Sequence, residues 1–303
     1  MRTITIKAWA KINLTLDVLG KRPDGYHELA SVMQAISLYD TLTISESNKP
    51  GIEIKLTETK SIKKRPDLPI GEGNLVYQAA QLLTTKFNIR KGILIELQKN
   101  IPIAAGLAGG SSDCAATLLG LNHIFDLNIS QRQLLDIGKE LGADVPFCIM
   151  GNDTGPSGTA LAEGIGERLT PLPSHPGVNI VLARLPVMVS TKKIFSYYTG
   201  RSEQQTSAMV QALKTNDVKK IAANLANDLV PIVTGLHPEV LTLITAFREQ
   251  NAMGVSMTGS GPTVFAYYPT EASAFMAIKN ISEQFPDCEI FSTNTKQQID
   301  KLN

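Results

Sequence analysis

The 303-residue chain is 43% hydrophobic and 19% charged, enough apolar material to bury a sizeable core and to exclude wholesale disorder. Its 29 basic and 28 acidic residues leave a formal net charge of +1, without the basic surplus that phosphate contacts demand of a nucleic-acid binder. Three scattered cysteines, Cys114, Cys148 and Cys288, argue against a disulfide framework or a zinc site and for buried thiols in a reducing cytoplasm.

The chain opens Met1-Arg2-Thr3-Ile4 and alternates at once, without the apolar centre of a signal peptide, and no apolar run reaches membrane-spanning length. The expectation is a cytoplasmic protein with no membrane and no obligate protein partner. Ile4, Ile6, Ala8, Ala10, Ile12, Leu14, Leu16 and Val18 fill every even position, which predicts a half-buried strand or hairpin with those side chains inward. Lys11 and Asn13 then share the opposite face, their Cα atoms about 6.5 to 7 Å apart. Lys21-Arg22-Pro23-Asp24-Gly25-Tyr26-His27 reads as a tight turn.

Strand-like runs follow at 36–44, 52–56 and 93–97, and apolar residues at helical spacing predict a helix over 74–87. The polar, proline-containing stretch at 61–69 reads as a surface loop, its Lys63-Lys64-Arg65 run solvated. Helices are expected at 114–125 and 131–141, the second closed by Gly142. The C-terminal part predicts strands at 179–185, 254–257, 263–268 and 289–293, with helical stretches at 218–229, 238–249 and 272–285. This order implies a two-domain α+β protein, divided between residues 165 and 175.

Three segments carry candidate chemistry. Gly106, Gly109 and Gly110 stand between a strand and a helix, with Ser111 and Ser112 placed to cap that helix. Glycines let a backbone approach a phosphate, the free N–H groups of a helix start favour an anion, and the serine hydroxyls could reach phosphate or magnesium. The spacing is neither that of a P-loop nor that of a Rossmann loop. In Gly142-Ala143-Asp144-Val145-Pro146, Asp144 is either a general base or the N-cap of a following helix. Met257-Thr258-Gly259-Ser260-Gly261-Pro262-Thr263 is a second glycine loop, by itself a hairpin turn as readily as a site. His27 is a ligand contact or a surface residue, and the spacings of His123, His175 and His237 match no metal motif. Trp9 either covers apolar surface or lines a pocket.

Together these segments resemble the GHMP kinase superfamily, named for galactokinase, homoserine, mevalonate and phosphomevalonate kinases. The 102–113 segment is similar to its central phosphate loop, with one extra glycine in Gly106-Leu107-Ala108-Gly109-Gly110-Ser111-Ser112-Asp113. The 257–262 segment is similar to its C-terminal motif. Ala10-Lys11-Ile12-Asn13-Leu14, Arg22-Pro23-Asp24-Gly25-Tyr26-His27, Gly142-Ala143-Asp144-Val145-Pro146-Phe147 and Leu161-Ala162-Glu163-Gly164-Ile165-Gly166-Glu167 resemble the branch acting on 4-diphosphocytidyl-2-C-methyl-D-erythritol in the non-mevalonate isoprenoid pathway.

The resemblance implies an N-terminal ATP-binding domain, 1–168, of the ribosomal-protein-S5-domain-2-like fold and a ferredoxin-like C-terminal domain, 169–303. It implies ATP-dependent phosphorylation of the 2-hydroxyl of that substrate, with Asp144 and Lys11 catalytic. Asn13, Tyr26 and His27 would hold the substrate, His27 at the cytosine edge, with Tyr26 and Phe195 as the two faces of an aromatic sandwich. Asn74, Lys99, Pro102, Gly106, Leu107, Ala108, Gly109, Gly110, Ser111, Ser112, Gly259 and Ser260 would bind ATP. Mg2+ would arrive with ATP, near Ser112, with no dedicated protein site. Another alcohol substrate within the superfamily and a non-enzymatic nucleotide sensor are the competing expectations. Cytidine-containing competitors separate out the first, and absence of phosphoryl transfer identifies the second. The 152–157 stretch departs from the pattern as an inserted, turn-rich loop, and insertions of this kind cost little stability.

Overall fold

The computed structural model describes residues 1–57, 68–152, 158–200 and 202–296. Two long strands, β1 (Thr3–Lys21) and β2 (His27–Ser47), form an antiparallel ribbon across the turn at 22–26. There the Gly25 N–H donates to the Arg22 carbonyl at 3.0 Å and the Arg22 N–H to the Tyr26 carbonyl at 2.7 Å. Strand β3 (Ile52–Thr57), helix α1 (Leu75–Lys86) and strand β4 (Gly92–Gln98) follow, then helices α2 (Gly109–Ile124), α3 (Gln131–Leu141) and α4 (Val145–Asn152). Strands β5 (Thr159–Gly164) and β6 (Arg168–Pro171) complete this half. The second half runs β7 (Asn179–Arg184), α5 (Thr191–Ser196), α6 (Thr206–Lys214), α7 (Val218–Ala223), β8 (Ala226–Asn227), α8 (Val230–Leu236) and α9 (Pro238–Glu249), then β9 (Gly254–Met257), β10 (Thr263–Tyr268), α10 (Glu271–Gln284) and β11 (Glu289–Asn294).

The first sheet has seven strands, in the order β3-β4-β2-β1-β8, with β5 on β2 and β6 on β5. Helices α1 to α4 cover it over a core that includes Ile6, Ile44, Ile95, Leu118 and Leu121. The second sheet is antiparallel in the order β11-β7-β10-β9, the split βαβ arrangement of a ferredoxin-like domain. Both expected fold types are therefore present.

The alternation of β1 holds at first: Ile4, Ile6 and Ala8 are buried while Thr5 and Lys7 are exposed. From Ala10 to Val18 the strand is buried on both faces, because the second half of the chain covers the polar one. Ala10, Ile12 and Leu14 share a third core with Leu182, Phe265, Tyr267 and Met209, so β1 joins the two units. The Pro-Asp-Gly turn is as expected, and so are α1, with Asn74 as its N-cap, α3 with its Ser130 capping box, and α9.

Two boundaries differ. Helix α2 begins at Gly109, so Ser111 and Ser112 lie inside its first turn, and Ala108, in the left-handed region at φ 56°, takes the cap position. The helix expected over 218–229 breaks at Asn224 into α7 and β8, where asparagine side chains bond to backbone instead of continuing the helix. The loop read at 61–69 and the insertion read at 152–157 fall largely outside the described residues.

Candidate active site

A cavity of about 490 Å3 opens where the two sheets meet. Its walls come from β1 (Lys11, Asn13), β2 (Ser31, Met33), the 99–111 loop, the start of α1, Asp144 ahead of α4, Phe195 of α5, and the Gly259-Ser260 turn between β9 and β10.

The 102–108 loop is curled by residues in the left-handed region: Ala104 at φ 54°, Gly106 at 74° and Ala108 at 56°. Such a curl, running into the start of α2, directs backbone N–H groups at an anion. Two neighbours hold it in place. The Lys11 N–H donates to the Leu107 carbonyl at 3.2 Å, and the Thr258 hydroxyl donates to the Gly106 carbonyl at 3.2 Å. A Cβ on Gly109 would stand 2.9 Å from Ile101 Cγ2 and 3.3 Å from Lys99 Nζ, so a larger residue there would displace both side chains.

Lys11 is buried, and its Nζ lies 3.6 Å from Asp144 Oδ2 and 2.8 Å from Asn13 Oδ1. Asp144 keeps 32% of its side chain exposed, so its carboxylate faces the cavity. It also stands at the head of α4, where its carbonyl accepts the Cys148 N–H at 3.1 Å. The capping position and the carboxylate opposite Lys11 are thus compatible roles for one residue.

Lys99 also lines the cavity, but its ammonium is bound to Asp40 and, at 2.7 Å, to Asp113. Burial disfavours its charge, yet the two carboxylates outweigh burial and hold it above the ordinary lysine range. Burial pushes Asp113 well above the carboxylate range, with Asp40 adding to the effect and Lys99 opposing it. Asp113 Oδ1 is buried with no partner among the described residues. One cation stands here against two buried carboxylates, and burial favours the neutral form of Asp113.

The buried His27 ring is outside the cavity wall and lies 5.4 Å, at a 36° tilt, from Phe195, which lines it, and 6.4 Å from Tyr198, edge-on. Burial, with Lys21 nearby, lowers the His27 pKa, leaving a neutral imidazole with one donor and one acceptor.

Residues 74–152 match the GHMP kinases N terminal domain, and residues 209–287 match the GHMP kinases C terminal domain. A 4-diphosphocytidyl-2-C-methyl-D-erythritol kinase of Caldicellulosiruptor saccharolyticus is 43% identical over 275 residues, 90% of this chain and 90% of its own. Another, of Clostridioides difficile, is 39% identical over 302 residues, 98% of this chain and 97% of its own. This chain belongs to the 4-diphosphocytidyl-2-C-methyl-D-erythritol kinase family. A solved structure of 4-(cytidine 5'-diphospho)-2C-methyl-D-erythritol kinase matches with a TM-score of 0.77 at 29% identity, covering 97% of this chain and 100% of that one. Homoserine kinase from Cytophaga hutchinsonii, at 19% identity, has a TM-score of 0.75 and covers 98% of this chain and 96% of its own. It shares the fold. The chain is therefore an ATP-dependent kinase of the GHMP superfamily.

Within this GHMP kinase, Lys11, Asn13, Asn74, Lys99, Pro102, Gly106, Ala108, Gly109, Gly110, Ser111, Asp144, Phe195, Gly259 and Ser260 come together around the one cavity. Leu107 is buried behind the loop, 1% exposed. Ser112 is fully buried and donates to the Trp9 carbonyl, so its hydroxyl is engaged inside the protein and does not line the cavity. Tyr26 is 61% exposed and outside the cavity wall, because the 22–26 turn directs its ring to solvent. Asn13 has both ends of its amide engaged inside the protein, accepting from Lys11 and from the Gly259 N–H at 3.0 Å and donating to Ser31 Oγ at 2.8 Å. Asn74 accepts from the Val76 N–H at 2.9 Å and donates to the Pro69 carbonyl at 2.7 Å, which fixes the end of α1. Trp9 packs edge-on against Tyr39 beneath the Lys296 ammonium and does not line the cavity. Asp40, Asp113, Ser31 and Thr258 are neighbours of these residues that the sequence reading did not single out, although Asp113 and Thr258 lie within the glycine segments it quoted.

Proposed function

We propose that this kinase transfers the γ-phosphoryl group of ATP to the 2-hydroxyl of 4-diphosphocytidyl-2-C-methyl-D-erythritol, giving the 2-phosphate and ADP, with Asp144 and Lys11 at the reacting atoms. The observation that carries this reading is the Lys11–Asp144 pair, 3.6 Å apart in a cavity walled by the curled glycine loop. Phosphoryl transfer needs positioning and charge neutralisation more than covalent help. Asp144 accepts the hydrogen bond of the attacking hydroxyl and is the base within reach of its proton. Lys11, held by Asn13, offsets the charge that develops on the transferring phosphoryl oxygens. The loop from Gly106 to Ser111 cradles the phosphates with its N–H groups, and Leu75 and Pro102 offer apolar surface to the nucleotide.

In this reading residues 1–168 bind the nucleotide, while 169–303 contribute Phe195 and the Gly259-Ser260 loop. His27, neutral beside Phe195, reads the cytosine edge, a donor–acceptor pairing that rejects analogues better than an apolar pocket does. Among the described residues no three His, Cys, Asp or Glu side chains form a metal cage. A magnesium ion here would be held chiefly by nucleotide phosphates, the usual mode for this cation, with Asp144 the accessible carboxylate of the wall. Bound there, magnesium would neutralise phosphate charge. The Lys99 ammonium, matched to Asp40 and Asp113, shapes the wall and leaves phosphate neutralisation to Lys11. Three buried free cysteines suit a reducing cytoplasm, and among the described residues no single helix is long and apolar enough to cross a membrane.

The test is initial-rate ADP release with Mg-ATP and, separately, 4-diphosphocytidyl-2-C-methyl-D-erythritol, homoserine or mevalonate. Turnover with the first alone, competed by CMP, is expected. Comparable turnover with homoserine or mevalonate, indifferent to CMP, contradicts the substrate.

A further inference from the structure

The Gly259 turn is fixed from behind by a side chain outside the wall of the reaction cavity. Asn227 is buried at 8% exposure, and its amide nitrogen donates to two backbone carbonyls of that turn, Met257 and Gly259, at 2.8 Å each. Its amide oxygen accepts the Leu229 N–H at 2.9 Å. Two donors and one acceptor on one short planar group is a set that asparagine supplies and that aspartate, serine or alanine cannot.

The platform beneath Asn227 is β1 itself. Strand β8 pairs in parallel with β1, placing Asn227 opposite Leu16, and the Asp228 N–H donates to the Leu16 carbonyl at 2.9 Å. The Asp228 carboxylate in turn accepts the Val18 N–H at 2.8 Å. The turn then reaches back to the same strand: the Gly259 N–H meets Asn13 Oδ1 at 3.0 Å, and the Thr258 hydroxyl meets the same oxygen at 3.3 Å. That oxygen also receives the Lys11 ammonium at 2.8 Å. A closed circuit therefore runs from β1 through Asn227 and the Gly259 turn to Asn13, and ends at Lys11.

We propose that Asn227 is a positioning residue for phosphoryl transfer, holding the Gly259 turn so that its N–H and Asn13 fix Lys11 opposite Asp144. This rests on the assignment of Lys11 and Asp144 as the reacting pair. Without the Asn227 amide, the Met257 and Gly259 carbonyls lose their shared donor, and the turn, still tied to Gly106 and Asn13, is held less firmly against Asn13 and Lys11. A small displacement of a catalytic ammonium costs far more in turnover than in binding.

The experiment is a double-mutant cycle on the full chain with Asn227→Ala and Asn13→Ser, read as kcat and kcat/KM. Amide hydrogen exchange across residues 257–261 is followed in parallel. Asn227→Ala is expected to fold, to lower kcat by about tenfold or more, and to speed exchange at the turn. In the Asn13→Ser background it is expected to cost less than about threefold more, since both act through one circuit. Asn227→Asp, which keeps the acceptor and the shape, should match Asn227→Ala in kcat and serves if the smaller variant fails to fold. A folded Asn227 variant with parental kcat, losses that multiply in the double mutant, or unchanged exchange at the turn would each overturn the inference. Asp144→Asn is the reference. If it turns over like the parent, the reading of the reacting pair fails whatever Asn227 does. If it is inactive while Asn227→Ala is parental, only this inference fails.

Discussion

Gly106 and Thr258, 152 residues apart in the chain, meet backbone to backbone at the floor of the cavity. The Thr258 hydroxyl donates to the Gly106 carbonyl at 3.2 Å, and a Cβ on Gly106 would stand only 2.5 Å from the Thr258 carbonyl oxygen. Gly106 also sits in the left-handed region, at φ 74°. The phosphate loop of the first half and the glycine turn of the second are thus one packed unit.

Gly106→Ala is accordingly expected to be costly twice over, through the left-handed backbone and through a clash with backbone that has no flexible end to move. A loss of roughly 2 to 4 kcal/mol in unfolding free energy is expected, with ATP binding weakened in any folded fraction. Urea denaturation and nucleotide titration check it. Parental stability and ATP affinity together would show that the two loops separate without consequence.

The Lys99–Asp40–Asp113 cluster separates two substitutions sharply. Lys99→Met leaves the buried Asp40–Asp113 pair without its cation and should cost about 3 to 5 kcal/mol at neutral pH. Asp113→Asn keeps an acceptor for Lys99 and leaves the cluster's charge unchanged if Asp113 is already protonated. It should stay within about 1 kcal/mol of the parent. Equal damage from the two in denaturant titrations would mean that Asp113 is ionised in the folded protein.

His175 gives a stability–pH signature away from the site. It is 1% exposed, its Nε2 lies 3.2 Å from the Tyr267 hydroxyl, and burial lowers its pKa to about 4, partly opposed by the Pro176 carbonyl. An unfolded histidine titrates near pH 6.5, so between about 6.5 and 4 the unfolded chain holds the extra proton. Stability should fall across that window as pH drops, by about 3 kcal/mol in all, and level off below it. His175→Gln should flatten this segment of the curve. An unchanged slope in the variant would assign the acid loss to other groups.

The imidazole of His27 should shape the pH dependence of substrate binding. Its lowered pKa keeps it neutral at pH 7, and protonation below the ordinary imidazole value of about 6.5 converts its acceptor nitrogen into a donor. KM for the cytidine substrate should rise on that acid side with kcat little changed. His27→Ala should raise KM by about tenfold to a hundredfold and remove the limb. A KM indifferent to both pH and substitution would take His27 out of cytosine recognition.

Local pattern carried much of this fold. Period-two apolar residues located β1, apolar residues at helical spacing located α1, and Gly142 marked the end of α3, because each is decided within a few residues. The start of α2 was hidden because Gly109 and Gly110 are poor helix formers that this helix tolerates where a ligand must approach. The burial of the polar face of β1 was not legible, since nothing near Asn13 announces that Thr258 and Gly259 will cover it. Resemblance brought Lys11, Asp144 and both glycine loops to one place. It could not foresee that Ser112 turns to Trp9 or that Lys99 is matched by Asp40 and Asp113, since each depends on a partner distant in sequence, or that the local 22–26 turn points Tyr26 to water.

The most direct test of the account is single-turnover phosphoryl transfer from Mg-ATP to 4-diphosphocytidyl-2-C-methyl-D-erythritol by Asp144→Asn, with ATP affinity measured on the same preparation. Transfer reduced by about a thousandfold or more, with ATP bound within about threefold of the parent, is the predicted result. Transfer within about tenfold of the parent, in a folded variant that binds ATP normally, would contradict the assignment of Asp144 to the reacting hydroxyl.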